Sequence, residues 1–298
     1  MKEKTMKSKL SPLTVTLFVV LTLYVLFMLV LFVWVFLTAS KGYFGDYSSW
    51  DPDVTPDNLI GFPKEFVLFK NISEINGGFS DGTLLGMAWN TILYAVGCSL
   101  CKVVVTCVVA YLCARYENWF SRLVYSVVVV TMIIPVVGSQ AAEIQMAKDL
   151  QIYNRIWGMW LMRSNFLGMY YLVFYSVFKS MPKGYYEAAK IDGANDWKIM
   201  CNVALPLVKY TFLSIFLIVF IEYWNDYLTP NLYLEREHAT LSLALYWQSQ
   251  GQYLSNTQLQ YVPYIMATVL LVTVPVIILF CVFSKRLMGN LSVGGLKG

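Results

Sequence analysis

The sequence predicts an all-α, polytopic membrane protein with six transmembrane helices. Composition is the first reason: 58% of the 298 residues are hydrophobic and only 13% are charged, against about 45–50% and about 25% in an ordinary soluble domain. A soluble fold cannot absorb that excess, because its surface must still meet water. Distribution is the second. No charge stands between Lys9 and Lys41, and about 20 apolar residues suffice to cross a bilayer core. The third is that further apolar runs, separated by polar breakers, recur along the whole chain.

The elements follow in order. Residues 1–12 form a basic tail. The first span, Leu13–Leu37, is far longer than the apolar core of a signal peptide, about 7–15 residues, so it reads as an uncleaved anchor despite the small residues Thr38-Ala39-Ser40 behind it. Residues 38–85 form an external loop. Five more spans, Gly86–Cys113, Leu123–Ala142, Ile156–Phe178, Val208–Tyr233 and Val262–Ser284, build a core over residues 86–284, and residues 285–298 form a second tail. The run before the last span is charge-free from His238 onward, but Ser249-Gln250-Gly251-Gln252 and Ser255-Asn256 make its first half too polar for lipid.

Lysine and arginine give the direction, since they concentrate in cytoplasmic loops. With the N-terminus inside, fourteen of the 22 fall in cytoplasmic segments and six in external ones, while Lys102 and Arg163 lie within spans. Both termini are therefore expected in the cytoplasm. The net charge of +4 is explained by this asymmetry and gives no reason to expect nucleic acid. Of the six cysteines, Cys98 and Cys101 form a C-x-x-C inside a span with no second ligand pair, which reads as small buried residues rather than a metal or redox site. The single histidine, His238, sits in an external loop, and Asn71-Ile72-Ser73 and Asn290-Leu291-Ser292 fit a short glycosylation pattern.

The longest cytoplasmic loop, about 179–207, reads as two short helices around a turn: Pro182 at a first helical position, Gly193 ending the helix with a positive φ, Asn195 capping the next one, and Pro206 opening the fifth span. Glu187-Ala188-Ala189, three residues, Gly193, nine residues, then Val203, one residue and Leu205-Pro206 resembles the EAA motif of ABC importer permeases. Ile191-Asp192-Gly193-Ala194, Trp224-Asn225-Asp226-Tyr227 and the tail Leu291–Gly298 resemble the carbohydrate-uptake, maltose-type branch. The resemblance covers roughly residues 86–298.

It implies a permease subunit of an ATP-binding-cassette importer of sugar or oligosaccharide, with a type I importer permease fold, in a bacterial cytoplasmic membrane. By the same resemblance, Glu187, Ala188, Ala189, Asp192, Gly193, Ala194, Leu205 and Pro206 would couple the chain to an ATPase. The implied partners are a second, different permease chain, a pair of ATPase subunits and an extracytoplasmic sugar-binding protein, all in membrane lipid. The chain has no G-x-x-x-x-G-K-[ST] phosphate loop, so it is expected to hold no cofactor and catalyse no reaction. ATP and magnesium would belong to the partner ATPase.

Lys102, Arg163, Glu222 and Asp226 fall inside spans, where a charge costs on the order of 2.5–3.5 kcal/mol. At about 1.5 Å per residue all four come to one depth. Together with Trp224 and Asn225 they are candidates for the substrate path, and equally for interhelical pairing. Lys102 and Glu222 are expected to form a buried pair. The competing reading is an integral membrane transferase acting on a lipid-linked sugar, which would want a metal cluster or an acid–base pair at the membrane face; no such constellation stands at the right spacing.

Overall fold

A computed structural model of the protein describes residues 11–42, 61–63, 65–80, 82–134 and 138–291, with side chains to residue 283. The basic N-terminal lysines, much of the first external loop, Ser292 of the second glycosylation pattern and the Lys-Gly tail lie outside the described residues. Among those described there is no β-strand, only isolated bridges from Phe79 to Gly82 and to Leu254. The helices are α1 (Pro12–Ala39), α2 (Leu68–Asn76), α3 (Leu84–Arg115), α4 (Trp119–Ile133), α5 (Gln140–Asp149), α6 (Ile156–Met162), α7 (Met169–Lys179), α8 (Gly184–Ile191), α9 (Asp196–Ile199), α10 (Leu205–Trp224), α11 (Leu228–Tyr233), α12 (Leu241–Gln250) and α13 (Val262–Leu291).

Two compact units emerge, one of residues 1–75 and 256–271, the other of residues 76–255 and 272–298. In the first, α1 is apolar all round and exposed along almost its whole length; only its end, Thr38–Lys41, is buried. Asn71 of α2 holds that end, its side-chain amide donating to the Ala39 and Lys41 carbonyls at 2.8 Å each. The same burial leaves the amide of the Asn71 glycosylation pattern inaccessible.

The second unit is organised by α3, which packs against α4, α6, α7, α10 and α12. Small residues permit the closest approach. A Cβ on Gly97 would meet the Trp160 indole at 2.0 Å, and that indole donates to the Leu93 carbonyl at 3.0 Å.

The spans expected at the second and sixth positions are single helices, while three of the others depart from expectation. The third ends at Ile133, with Ile134 already extended at φ −90°, ψ 111°. The next residue is Pro135, which disfavours helix in the residue before it and cannot donate to the helical ladder. The fourth breaks after Met162 and restarts behind Gly168, whose φ is 123°. The fifth stops at Trp224 and resumes as α11 at Leu228. Three helix interruptions therefore fall within the apolar core.

Candidate functional site

The 179–207 loop has one face anchored and one face bare. Tyr186 anchors it: its ring is buried against Tyr111, with centroids 6.5 Å apart, and lies beneath the Arg115 guanidinium at 4.3 Å. Burial pushes the Tyr186 phenol above its ordinary range, so it stays neutral beside that cation. Tyr111 in turn packs edge-on against Phe178 at 5.3 Å. The C-terminal end of α3 is thus latched to α8.

The turn forms as expected. Gly193 has φ 77° and donates to the Lys190 carbonyl, and Asn195 Oδ1 accepts from the Lys198 amide at 2.8 Å. Lys190 and Asp196 pair across the turn at 3.8 Å. Pro182 differs from expectation. It lies ahead of α8, where its carbonyl accepts from the Tyr185 amide, instead of at the first helical position. A wide π turn over Met200–Ala204 precedes α10; Pro206 supplies no N–H to a regular ladder, and the looser turn accommodates it.

Of the eight motif residues, Glu187, Ala188, Asp192, Gly193 and Pro206 are exposed, whereas Ala189, Ala194 and Leu205 are half-buried. Beside them stand apolar side chains that the motif does not single out: Ile191 is 87% exposed and Trp197 68%, with Tyr185 also exposed. Three exposed apolar side chains thus share the loop with the exposed Glu187 carboxylate.

The intramembrane charges gather around α3, but not in the pairs expected. Lys102 and Glu222 make no ion pair. Instead Glu222 accepts from the Tyr170 hydroxyl at 2.5 Å, and the Lys102 ammonium lies over the Tyr170 and Tyr223 rings at 5.9 and 5.8 Å. A desolvated cation is attracted to the negative face of an aromatic ring, so tyrosines stand between the charges. Asp226 accepts from the Tyr94 hydroxyl at 2.9 Å and, with its other oxygen, from the Thr229 amide at 3.0 Å, capping α11.

Arg163, at the break between α6 and α7, lies over Tyr233 at 5.5 Å, and Tyr233 donates to Glu143 at 3.0 Å. Its Nε is buried without a hydrogen-bond partner. Cys98 lies within the fields of Arg163, Asp226 and Lys102, which brings the charges into one neighbourhood. Glu143 joins this layer although it follows the expected end of the third span by one residue. Trp224 does not face an open path: it is buried, donates to the Val272 carbonyl at 2.9 Å and packs on Phe220. Asn225 is exposed, its side chain turned back to the Ile221 carbonyl.

A cleft of about 530 Å³ opens at the other end of α3, lined by Asn90, Asn154, Trp157, Trp160, Glu237 and His238 among others. Asn154, at φ 56°, knits it together by donating to Glu237 and accepting from the Glu235 amide. His238 therefore belongs to a structured rim, 3.2 Å from the Asn154 amide oxygen.

Comparison with known proteins places this arrangement. Residues 106–292 match the family described as binding-protein-dependent transport system inner membrane component. The diacetylchitobiose uptake system permease protein of Streptomyces coelicolor is 28% identical over 209 residues, covering 69% of this chain and 67% of its own. The melibiose/raffinose/stachyose import permease protein of Bacillus subtilis is 26% identical over 271 residues, 89% of this chain and 90% of its own. The fold is shared with a chain in the crystal structure of a bacterial ABC transporter involved in the import of the acidic polysaccharide alginate. The TM-score is 0.72 and the identity 18%, over 91% of this chain and 95% of that one.

Proposed function

The chain belongs to the binding-protein-dependent transport system inner membrane components, and from that premise we propose that it is the permease subunit of an ATP-driven importer of a sugar or oligosaccharide. Relatives whose names specify sugar uptake support the substrate class; a transferase acting on a lipid-linked sugar finds no support among them. The observation that carries the mechanism is the two-faced loop. Tyr186 and Arg115 tie α8 to α3, while Glu187, Ala188, Ile191 and Trp197 are left bare for a partner. A separate ATPase subunit docking there would deliver its motion to α3, the helix that carries Lys102 and Tyr94.

The interrupted helices support a path beside α3. Non-helical backbone at membrane depth is tolerated only where protein or a water-filled cavity satisfies it. The breaks at 163–168 and 225–227 carry Arg163, Asn225 and Asp226, so these residues, with Lys102 and Glu222, are the path we propose; Trp224 serves packing. The outer cleft at Trp157 and Asn154 would face an extracytoplasmic binding protein, and the exposed α1 would meet lipid and a second permease chain.

The coupling assignment is tested in a complex reconstituted with its ATPase and binding protein. Glu187→Lys puts a like charge against a basic docking groove, and Gly193→Val disfavours the turn. Both variants should insert normally, keep ATP hydrolysis, and lose most uptake. Wild-type uptake by both would remove the docking role.

A further inference from the structure

The ends of α3, α4 and α7 next to the docking loop enclose a cleft that none of the roles above employs. About 180 Å³ in volume, it is lined by Glu117, Ser121, Arg122, Ser126 and Lys179, with Tyr125 and Tyr175 beside them. A broader cleft of about 560 Å³ shares Tyr125, Tyr175 and Lys179 and continues to Leu172 and Ser176. The Tyr125 and Tyr175 rings meet at 5.0 Å between the two.

Its charge is unbalanced. Glu117 is hydrogen-bonded to Lys179; that ammonium, then Lys183 and Arg122, hold the carboxyl below its ordinary range. One carboxylate faces three cations, and Arg122 makes no ion pair among the described residues. Its place in the bilayer is marked independently. Trp119, 73% exposed at the head of α4 beside the exposed Phe120, is a residue of the kind that settles at the membrane–water interface. Beyond them α4 presents Leu123, Val127 and Val130, all exposed and apolar. A cationic, hydroxyl-lined cleft at the interface, continued by an exposed apolar helix, has the order of chemistry of a phospholipid: phosphate first, acyl chain after.

We propose that this cleft binds the headgroup of an anionic phospholipid of the cytoplasmic leaflet, with Arg122 and Lys179 as the phosphate-binding cations. The choice of leaflet rests on the orientation adopted for transport; the site itself does not. Basic pockets between transmembrane helices on the cytoplasmic side recognise such headgroups.

The test uses the complete complex carrying the full chain, extracted into detergent with dioleoyl phosphatidylglycerol or dioleoyl phosphatidylcholine and read by native mass spectrometry. Wild type should retain phosphatidylglycerol in preference. Arg122→Gln should weaken retention about fivefold, and Arg122→Gln with Lys179→Gln roughly 25-fold. Glu117→Gln, which removes the competing carboxylate, should strengthen it, and this gain keeps the test decisive if the double variant assembles poorly.

Equal retention of the two lipids by wild type would overturn the site, as would unchanged retention by Arg122→Gln. Binding of soluble glycerol phosphate as tight as that of the lipid would also overturn it, in favour of a free-phosphate site. Uptake and accessibility of a cysteine at Ser180 are scored separately. Failure of the transport reading or of the orientation is thereby distinguishable from failure of lipid binding.

Discussion

Gly193 sits at φ 77° with open space where a Cβ would be, so a substitution there is opposed by backbone conformation and not by collision. A left-handed residue with a side chain costs about 1–2 kcal/mol. Gly193→Ala should therefore lower coupling partially, and Gly193→Val severely, with little change in the thermal midpoint of the whole protein. The Arg115–Tyr186 latch has a different expectation. Stacking of this kind contributes about 0.5–2 kcal/mol, so Tyr186→Leu should loosen the loop, lower the ratio of uptake to ATP hydrolysed, and leave protein abundance unchanged. For Lys102 and Glu222 the geometry predicts coupling through a shared tyrosine. Tyr170 carries the Lys102 ammonium over its ring and donates its hydroxyl to Glu222, so the stability losses from Lys102→Met and Glu222→Gln, read by thermal unfolding, should depart from additivity by about 0.5–3 kcal/mol. Purely additive losses would show that Tyr170 does not link them. Depth alone suggested a direct pair; depth places two residues in one layer, but it cannot tell which aromatic stands between them.

At the scale of helices, the apolar runs were legible and their interruptions were not. Hydropathy averages over a window, and the breaks are flanked on both sides by Leu, Phe, Met and Tyr, so the average stays high across Arg163–Gly168 and Asn225–Tyr227. The local signals were there all the same: Pro135, the Ser164-Asn165 pair with Gly168 behind it, and the Asn225-Asp226 pair. The turn at Gly193 was legible almost to the residue, because a glycine and an Asx cap act locally, whereas Pro182 fell ahead of the helix it was expected to open. The loop's anchoring Tyr186 was not legible, since Arg115 lies 71 positions away in the chain. Close helix approach gives a further test. A Cβ on Gly158 would come within 2.2 Å of the Ile152 backbone carbonyl, which cannot move without the α5–α6 turn moving too. Gly158→Ala should lower the melting temperature and disturb the outer cleft. Gly97→Ala, whose nearest contacts are Trp160 side-chain atoms, should displace that indole and be detected by its fluorescence.

For the molecule as a whole, the class came from hydropathy, the expected direction from the lysine and arginine count, and the family from a loop of fewer than thirty residues. The direction is checked by single cysteines in a cysteine-free background. One at Ser249 should react with an impermeant thiol reagent in intact cells and one at Ser180 should not; the reverse pattern would invert the topology. The path proposed above depends on α6 and α7, which stand where the fourth crossing was expected. At about 1.5 Å per residue, seven residues of α6 reach roughly 10 Å and eleven of α7 roughly 16 Å, each short of a bilayer core about 30 Å thick. Neither half is a competent insertion signal, and the polar break between them opposes entry as a unit. During synthesis the pair must then enter the membrane against a segment already in place, and α3, which packs on both, is made earlier. Assembly of this chain acquires an order: polar substitutions in α3 would be expected to strand the later half-helices outside the bilayer, a failure of biogenesis that precedes any failure of transport.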